Sequence, residues 1–141
     1  MDAIRIGIYS VFNTTNDFNT DVGGRLFYAD APEGTNLSED AYAVFFFVSD
    51  VDEDTFSENM KDVYVQFSLF SGDSSPAAIL KMDKDLTALY KDQIFDVTGW
   101  TVVVMRRVQG SGPINVPADV DAGTGRYWQH DVDFTVTVNK I

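Results

Sequence analysis

Cysteine is absent from this 141-residue chain, which excludes a disulfide framework, thiol catalysis and cysteine-ligated zinc together. The redox compartment stays open, because a chain without thiols fits either side of a membrane. Histidine occurs once, at position 130. Basic residues are few: 10 Lys plus Arg stand against 22 Asp plus Glu, a formal charge of -12. A protein that grips DNA or RNA needs a local excess of Lys and Arg, so this balance argues against such a role. Long apolar runs are missing too. The longest, Ala41–Val48, falls far short of the ~20 residues that a membrane-spanning helix requires. Met1–Phe12 carries Asp2 and no basic flank ahead of an apolar stretch, so no secretion leader is expected there.

What is present is a globular composition, with 45% hydrophobic and 13% aromatic residues. One core serves chains of roughly 100–200 residues, so a single domain over 1–141 is expected. Ile4, Ile8 and Val11 recur at helical spacing behind Asp2, which can cap that helix and suits its positive end. Asn13–Asn19 ends it, and Gly23-Gly24 permits a tight reversal into a short strand, Arg25–Tyr28. Ala29–Ala41, with Pro32, Gly34 and four acids, reads as a loop. Tyr42–Ser49 reads as a buried strand. Asp50–Asp62, with six acids, reads as the charged turn of a long hairpin. In Val63–Phe70 the apolar Val63, Val65, Phe67 and Leu69 alternate with Tyr64, Gln66 and Ser68.

Ser74-Ser75-Pro76 opens a second helix, with Pro76 expected at the first helical position. Its apolar stripe is Ile79, Met82, Leu86 and Leu89, and Asp83, Lys84, Asp85 and Lys91 supply its wet face. Trp100–Arg107 is a Val-rich strand. Gln109–Gly125 holds four of the ten glycines and two of the four prolines, and reads as one long mobile or partner-ordered loop. Arg126–Asn139 alternates, with Trp128, Val132, Phe134, Val136 and Val138 on one face and Gln129, Asp131, Asp133, Thr135 and Thr137 on the other. The expected fold is α+β in the order α-β-β-β-α-β-β. Two helices pack on one face of a mostly antiparallel sheet of four to five strands.

Residues that carry chemistry are sparse. His130 shares its strand face with Trp128 and Val132, where a histidine is more often packed than basic, and no Gly-x-Ser-x-Gly elbow offers it a nucleophile. Asp50, Asp52 and Asp54 alternate as in a calcium loop. Thr55 and Lys61 stand where glycine and a bidentate glutamate are needed, so a charged turn is the better reading. Gly110-Ser111-Gly112 lacks the Lys-Ser/Thr ending of a phosphate loop. Arg106-Arg107, the only adjacent basic pair, suits local acids first and a partner's carboxylates or phosphates second. No catalytic, metal-binding or cofactor-binding residue is expected. The candidate assembly contacts are Asp50, Asp52, Asp54, Arg106, Arg107, Asp119 and Asp121.

The order of motifs carries a family likeness. An amphipathic N-terminal helix precedes Gly23-Gly24-Arg25-Leu26-Phe27-Tyr28, then Ala31-Pro32-Glu33-Gly34 and the aromatic run Tyr42-Ala43-Val44-Phe45-Phe46. Phe56 and Val63–Ser71 lead into a helix rich in Ala, Leu and Met, and Trp128-Gln129-His130-Asp131-Val132-Asp133-Phe134 closes the series. Over about residues 3–139 this resembles the tail-completion, or tail-terminator, proteins of long-tailed bacteriophages, prophages and gene transfer agents. The resemblance implies a non-enzymatic ring, typically a hexamer, at the head-proximal end of the tail tube. Such a ring stops tube polymerisation and joins the tail to the head connector. The implied partners are further copies of the chain, the tail tube protein and the connector or stopper. The implied place is the tail or neck of a virion assembled in the host cytoplasm. DNA would pass the lumen without specific binding, since an acidic wall repels phosphate. Competing readings are an adaptor or stopper ring, a small acidic enzyme using His130 or Asp50–Asp54, and an acidic DNA mimic.

Overall fold

In a computed structural model of the chain, which describes residues 2–29, 41–48, 60–72, 75–94, 96–97, 100–117 and 126–140, the first helix (α1) spans Asp2–Phe12. It buries Ile4, Ile8, Val11 and Phe12, the stripe its spacing dictates. Asp2, the expected cap, is its first residue. The Asn-rich run after α1 does more than end it. Asn16 and Asn19 donate their side-chain amides to the Phe12 carbonyl, at 3.0 and 2.8 Å, covering an acceptor that a helix end leaves open. The Asn16 side-chain oxygen in turn accepts from the Asn19 N–H at 2.7 Å and starts a second helix (α2, Asp17–Asp21), unforeseen in the sequence. α2 drives Phe18 into the core. Gly23 and Gly24 then turn the chain with φ of 59° and 76°, the left-handed region that favours glycine.

The sheet has seven strands among the described residues: β1 (Leu26–Tyr28), β2 (Tyr42–Phe47), β3 (Met60–Ser71), β4 (Asp96–Val97), β5 (Trp100–Gly110), β6 (Ile114–Pro117) and β7 (Arg126–Lys140). Their order is β1-β2-β3-β7-β5-β4, with β6 also on β7. Every pairing is antiparallel except β1 with β2, which is parallel. The α+β, mostly antiparallel architecture is the expected one, and the surplus over four to five strands comes from the short β4 and β6.

The alternation in the sequence becomes the two faces of the sheet. Val63, Val65, Phe67 and Leu69 of β3, with Val132, Phe134, Val136 and Val138 of β7, are each 0% exposed beneath the helices. The last helix (α3, Ala77–Tyr90) starts one residue after Pro76 and buries Ile79, Met82, Leu86 and Tyr90. Leu89, expected in that stripe, packs at the core margin as a partly buried residue. Tyr90 stands between Phe67 (ring centroids 5.3 Å) and Phe134 (6.3 Å), and its hydroxyl donates to the Ile8 carbonyl at 2.8 Å. One buried phenol thereby ties α3 to α1 across the core.

Candidate functional site: a buried ion cluster at the root of a long hairpin

β5 and β6 run in one direction along the same side of β7, from the Trp100↔Lys140 pair to the Pro117↔Arg126 pair. The expected loop over 109–125 is therefore strand through Gly110 and again over Ile114–Pro117, and residues 118–125 lie outside the described ones. Between β5 and β6 the ladder breaks at Ser111-Gly112-Pro113, because Gly112 adopts φ 88° and proline has no N–H to donate. Ser111 bridges the break: its N–H donates to the Asp131 carbonyl at 2.8 Å, and its hydroxyl oxygen accepts from the Asp131 N–H at 3.0 Å. Gly- and Pro-rich composition gave this stretch the look of a loop, and pairing with a 15-residue β7 makes it the distal arm of a hairpin.

At the root of that arm lies a charged cluster. His130 of β7, 3% exposed, places Nε2 2.8 Å from Asp83 Oδ2 of α3. Arg107 of β5 donates from Nη2 to the same oxygen at 3.0 Å, and the Thr87 hydroxyl donates to Asp83 Oδ1 at 3.1 Å. Burial works to raise the Asp83 carboxyl, but the His130 and Arg107 hydrogen bonds outweigh it and hold the group at about 2. The hydrogen bond to Asp83 raises His130, with burial opposing it and the Gly112 carbonyl adding to the rise. His130 Nδ1 is buried without a hydrogen-bond partner among the described residues. Gly110 completes the packing: a Cβ there would stand 2.6 Å from Arg107 Nη2 and 2.9 Å from His130 Cε1.

The cluster is a tether between α3 and the hairpin. Its histidine is shut from solvent and its carboxylate is engaged on both oxygens, so it presents no surface at which a substrate could meet a base. Asp83, expected on the wet face of its helix, is half-buried beside the apolar stripe. Its place one residue beyond Met82 and three before Leu86 is the signal that could have found it. Arg107 makes the local pair expected of it, while Arg106 is exposed. Asp50, Asp52, Asp54, Asp119 and Asp121 lie outside the described residues, as do residues 50–59 of the turn expected over Asp50–Asp62, whose last three residues are strand and open β3. Among the described residues no group of three or more His, Asp or Glu side chains could hold a metal ion. No described helix is long and apolar enough to cross a membrane.

The sheet face away from the helices carries a row of rings across four strands. Phe27 of β1 meets Tyr42 of β2 at 6.2 Å, Tyr42 stacks on Phe70 of β3 at 4.7 Å, and Phe70 meets Tyr127 of β7 at 6.2 Å.

With helices on one face and this hairpin at one end, the fold can be set against known structures. A chain from the virion of a native gene transfer agent particle superposes with a TM-score of 0.69, covering 98% of this chain and 96% of that one. The two share a fold. Identity between them is 10%, so the likeness speaks for architecture alone. A second solved chain, 13% identical, superposes with a TM-score of 0.54 over 96% of this chain and 94% of its own length. No protein-family model matches the sequence, and no curated protein matches it.

Proposed function

We propose that this chain is a structural protein of a phage-related virion, and within that class a tail terminator. Copies of it would form a ring, a hexamer in this reading, at the head-proximal end of the tail tube. The ring would end tube polymerisation and dock to the head connector. The observation that carries the reading is the end-to-end likeness to a gene transfer agent virion chain. It agrees with the order of motifs that suggested the family from sequence.

The two outer edges of the sheet support self-assembly. Among the described residues β1 pairs only with β2 and β6 only with β7, so the sheet offers open backbone at opposite sides. Contacts between unlike edges of identical copies are head-to-tail, and such contacts close into rings when the rotation allows. A non-catalytic role is supported by His130, whose Nε2 is committed to Asp83. The charge of -12 suits a lumen that passes DNA without holding it.

The test is genetic and visual. Loss of a terminator leaves tails abnormally long or unjoined by negative-stain microscopy, whereas filled heads that leak DNA would identify a stopper instead. Replacing 118–125 by a short turn is expected to preserve the thermal transition and abolish joining. Cutting further back, through Ile114–Pro117, removes a paired strand and is expected to harm folding as well.

A further inference from the structure

The junction of α2 and α3 holds a second charged cluster. Asp21 closes α2, and Lys81 and Asp85 stand one turn apart on α3. Lys81 Nζ lies 2.8 Å from Asp21 Oδ1 and 2.7 Å from Asp85 Oδ2, so one ammonium serves two carboxyl groups. The lysine side chain is 61% exposed, whereas the two aspartates are 12% and 13% exposed. The remaining oxygen of Asp21, Oδ2, is buried and meets no hydrogen-bond donor among the described residues.

A buried carboxylate oxygen with neither water nor donor is costly when ionised. The same oxygen carrying a proton becomes a donor, and the Asp85 carboxylate, gathered with Asp21 on the one Lys81 ammonium, is the neighbouring acceptor. We propose that Asp21 and Asp85 share one proton, forming an acid–carboxylate latch between α2 and α3 that passes to Lys81 alone when the proton leaves. In the closed state Asp21 donates to Asp85 and the three side chains sum to zero charge. In the open state the proton has gone to solvent, the sum is -1, and Lys81 holds two carboxylates that repel each other.

The surroundings favour this arrangement. Burial, followed by the Asp85 hydrogen bond, lifts Asp21 to about 6 against the pull of Lys81. The Asp21 hydrogen bond leads the causes that hold Asp85 below its ordinary value, with Lys81 and Lys84 adding to it. The C-terminal end of α2, where Asp21 sits, adds partial negative charge that further disfavours a carboxylate. On α2 itself the other acid is Asp17, which is exposed at the opposite end.

The test is a carbon-detected NMR titration of the aspartate side chains from pH 3 to 8, on wild type, Asp21→Asn and Lys81→Met. Two coupled steps are expected, with the upper one near pH 6 visible at both Asp21 and Asp85. That midpoint corresponds to about 100-fold tighter proton binding than a free aspartate side chain. Asp21→Asn should abolish the upper step. Its amide mimics the protonated acid, so it should melt at a higher temperature than wild type at pH 7.5, by a margin that shrinks to about half at pH 5 and closes only as pH falls below the unfolded value of 3.8. Lys81→Met should move the upper step to higher pH. Two independent steps in the ordinary carboxylate range would overturn the latch. So would an Asp21→Asn variant that melts lower than wild type at pH 7.5, the outcome of a plain Lys81–Asp21 salt bridge.

Discussion

Replacing Asp83 by asparagine keeps the shape of the tether and removes its charge. In wild type the Asp83 carboxyl lies near 2 against an ordinary 3.8. At about 1.36 kcal/mol per pH unit that is roughly 2.5 kcal/mol. Arg107 is 31% exposed, so solvent screens part of this, and we expect a loss of about 2 kcal/mol at neutral pH. The His130 rise reports the same contact and is not added. For a domain of this size the loss corresponds to a fall in Tm of about 6–8 °C. The pH dependence is the sharper readout. A depressed carboxylate contributes stability above its unfolded pKa and loses it as pH falls through about 2, so Asp83 itself contributes fully from pH 5 upward. His130 is raised, so its contribution is full below about 6.5 and is lost as pH rises through the folded value. The wild-type advantage over Asp83→Asn, read from urea unfolding, should therefore be greater at pH 5.5 than at pH 9. Asp21 titrates in both proteins and cancels in the difference. An advantage equal at the two pH values would refute the ion-pair account of the cluster.

Gly110→Ala puts a methyl group against Arg107 and His130, and should cost about 1–3 kcal/mol in denaturant unfolding. If the variant is as stable as wild type, the root of the arm is looser than described. Tyr90→Phe removes the donor to the Ile8 carbonyl while keeping the ring between Phe67 and Phe134. It should lower stability by about 1–1.5 kcal/mol in the same assay, and no change would mean that α1 and α3 hold without that bond.

Periodicity revealed the parts of the fold that are amphipathic. β3 and β7 are buried on one face and their sequences alternate accordingly, and α3 follows Ile79, Met82 and Leu86 at helical spacing. What stayed hidden depends on partners distant in sequence. Ile114–Pro117 is a strand because β7 extends beside it, and nothing within those four residues signals it. α2 exists through the Asn16 cap and the burial of Phe18, in a helix of 5 residues, too short for periodicity to show. The parallel pairing of β1 rests on three register positions, Leu26↔Ala43 to Tyr28↔Phe45, reached by a crossover that local sequence does not encode. The site was half legible: His130 and Arg107 drew attention as residue types, whereas Asp83 looked like an ordinary surface acid.

The position of β7 has a consequence for synthesis. It is the strand that β3, β5 and β6 all require, and it leaves the ribosome after each of them. Until it arrives, β3 lacks the neighbour it pairs with from Met60 to Ser71, and β5 and β6 have no main ladder at all. Such distant pairings meet their loop-closure cost before any reward, so the chain should form its core late and in one step. Nascent chains arrested before Arg126 should then be digested readily by protease, and become resistant only once Lys140 has cleared the exit tunnel.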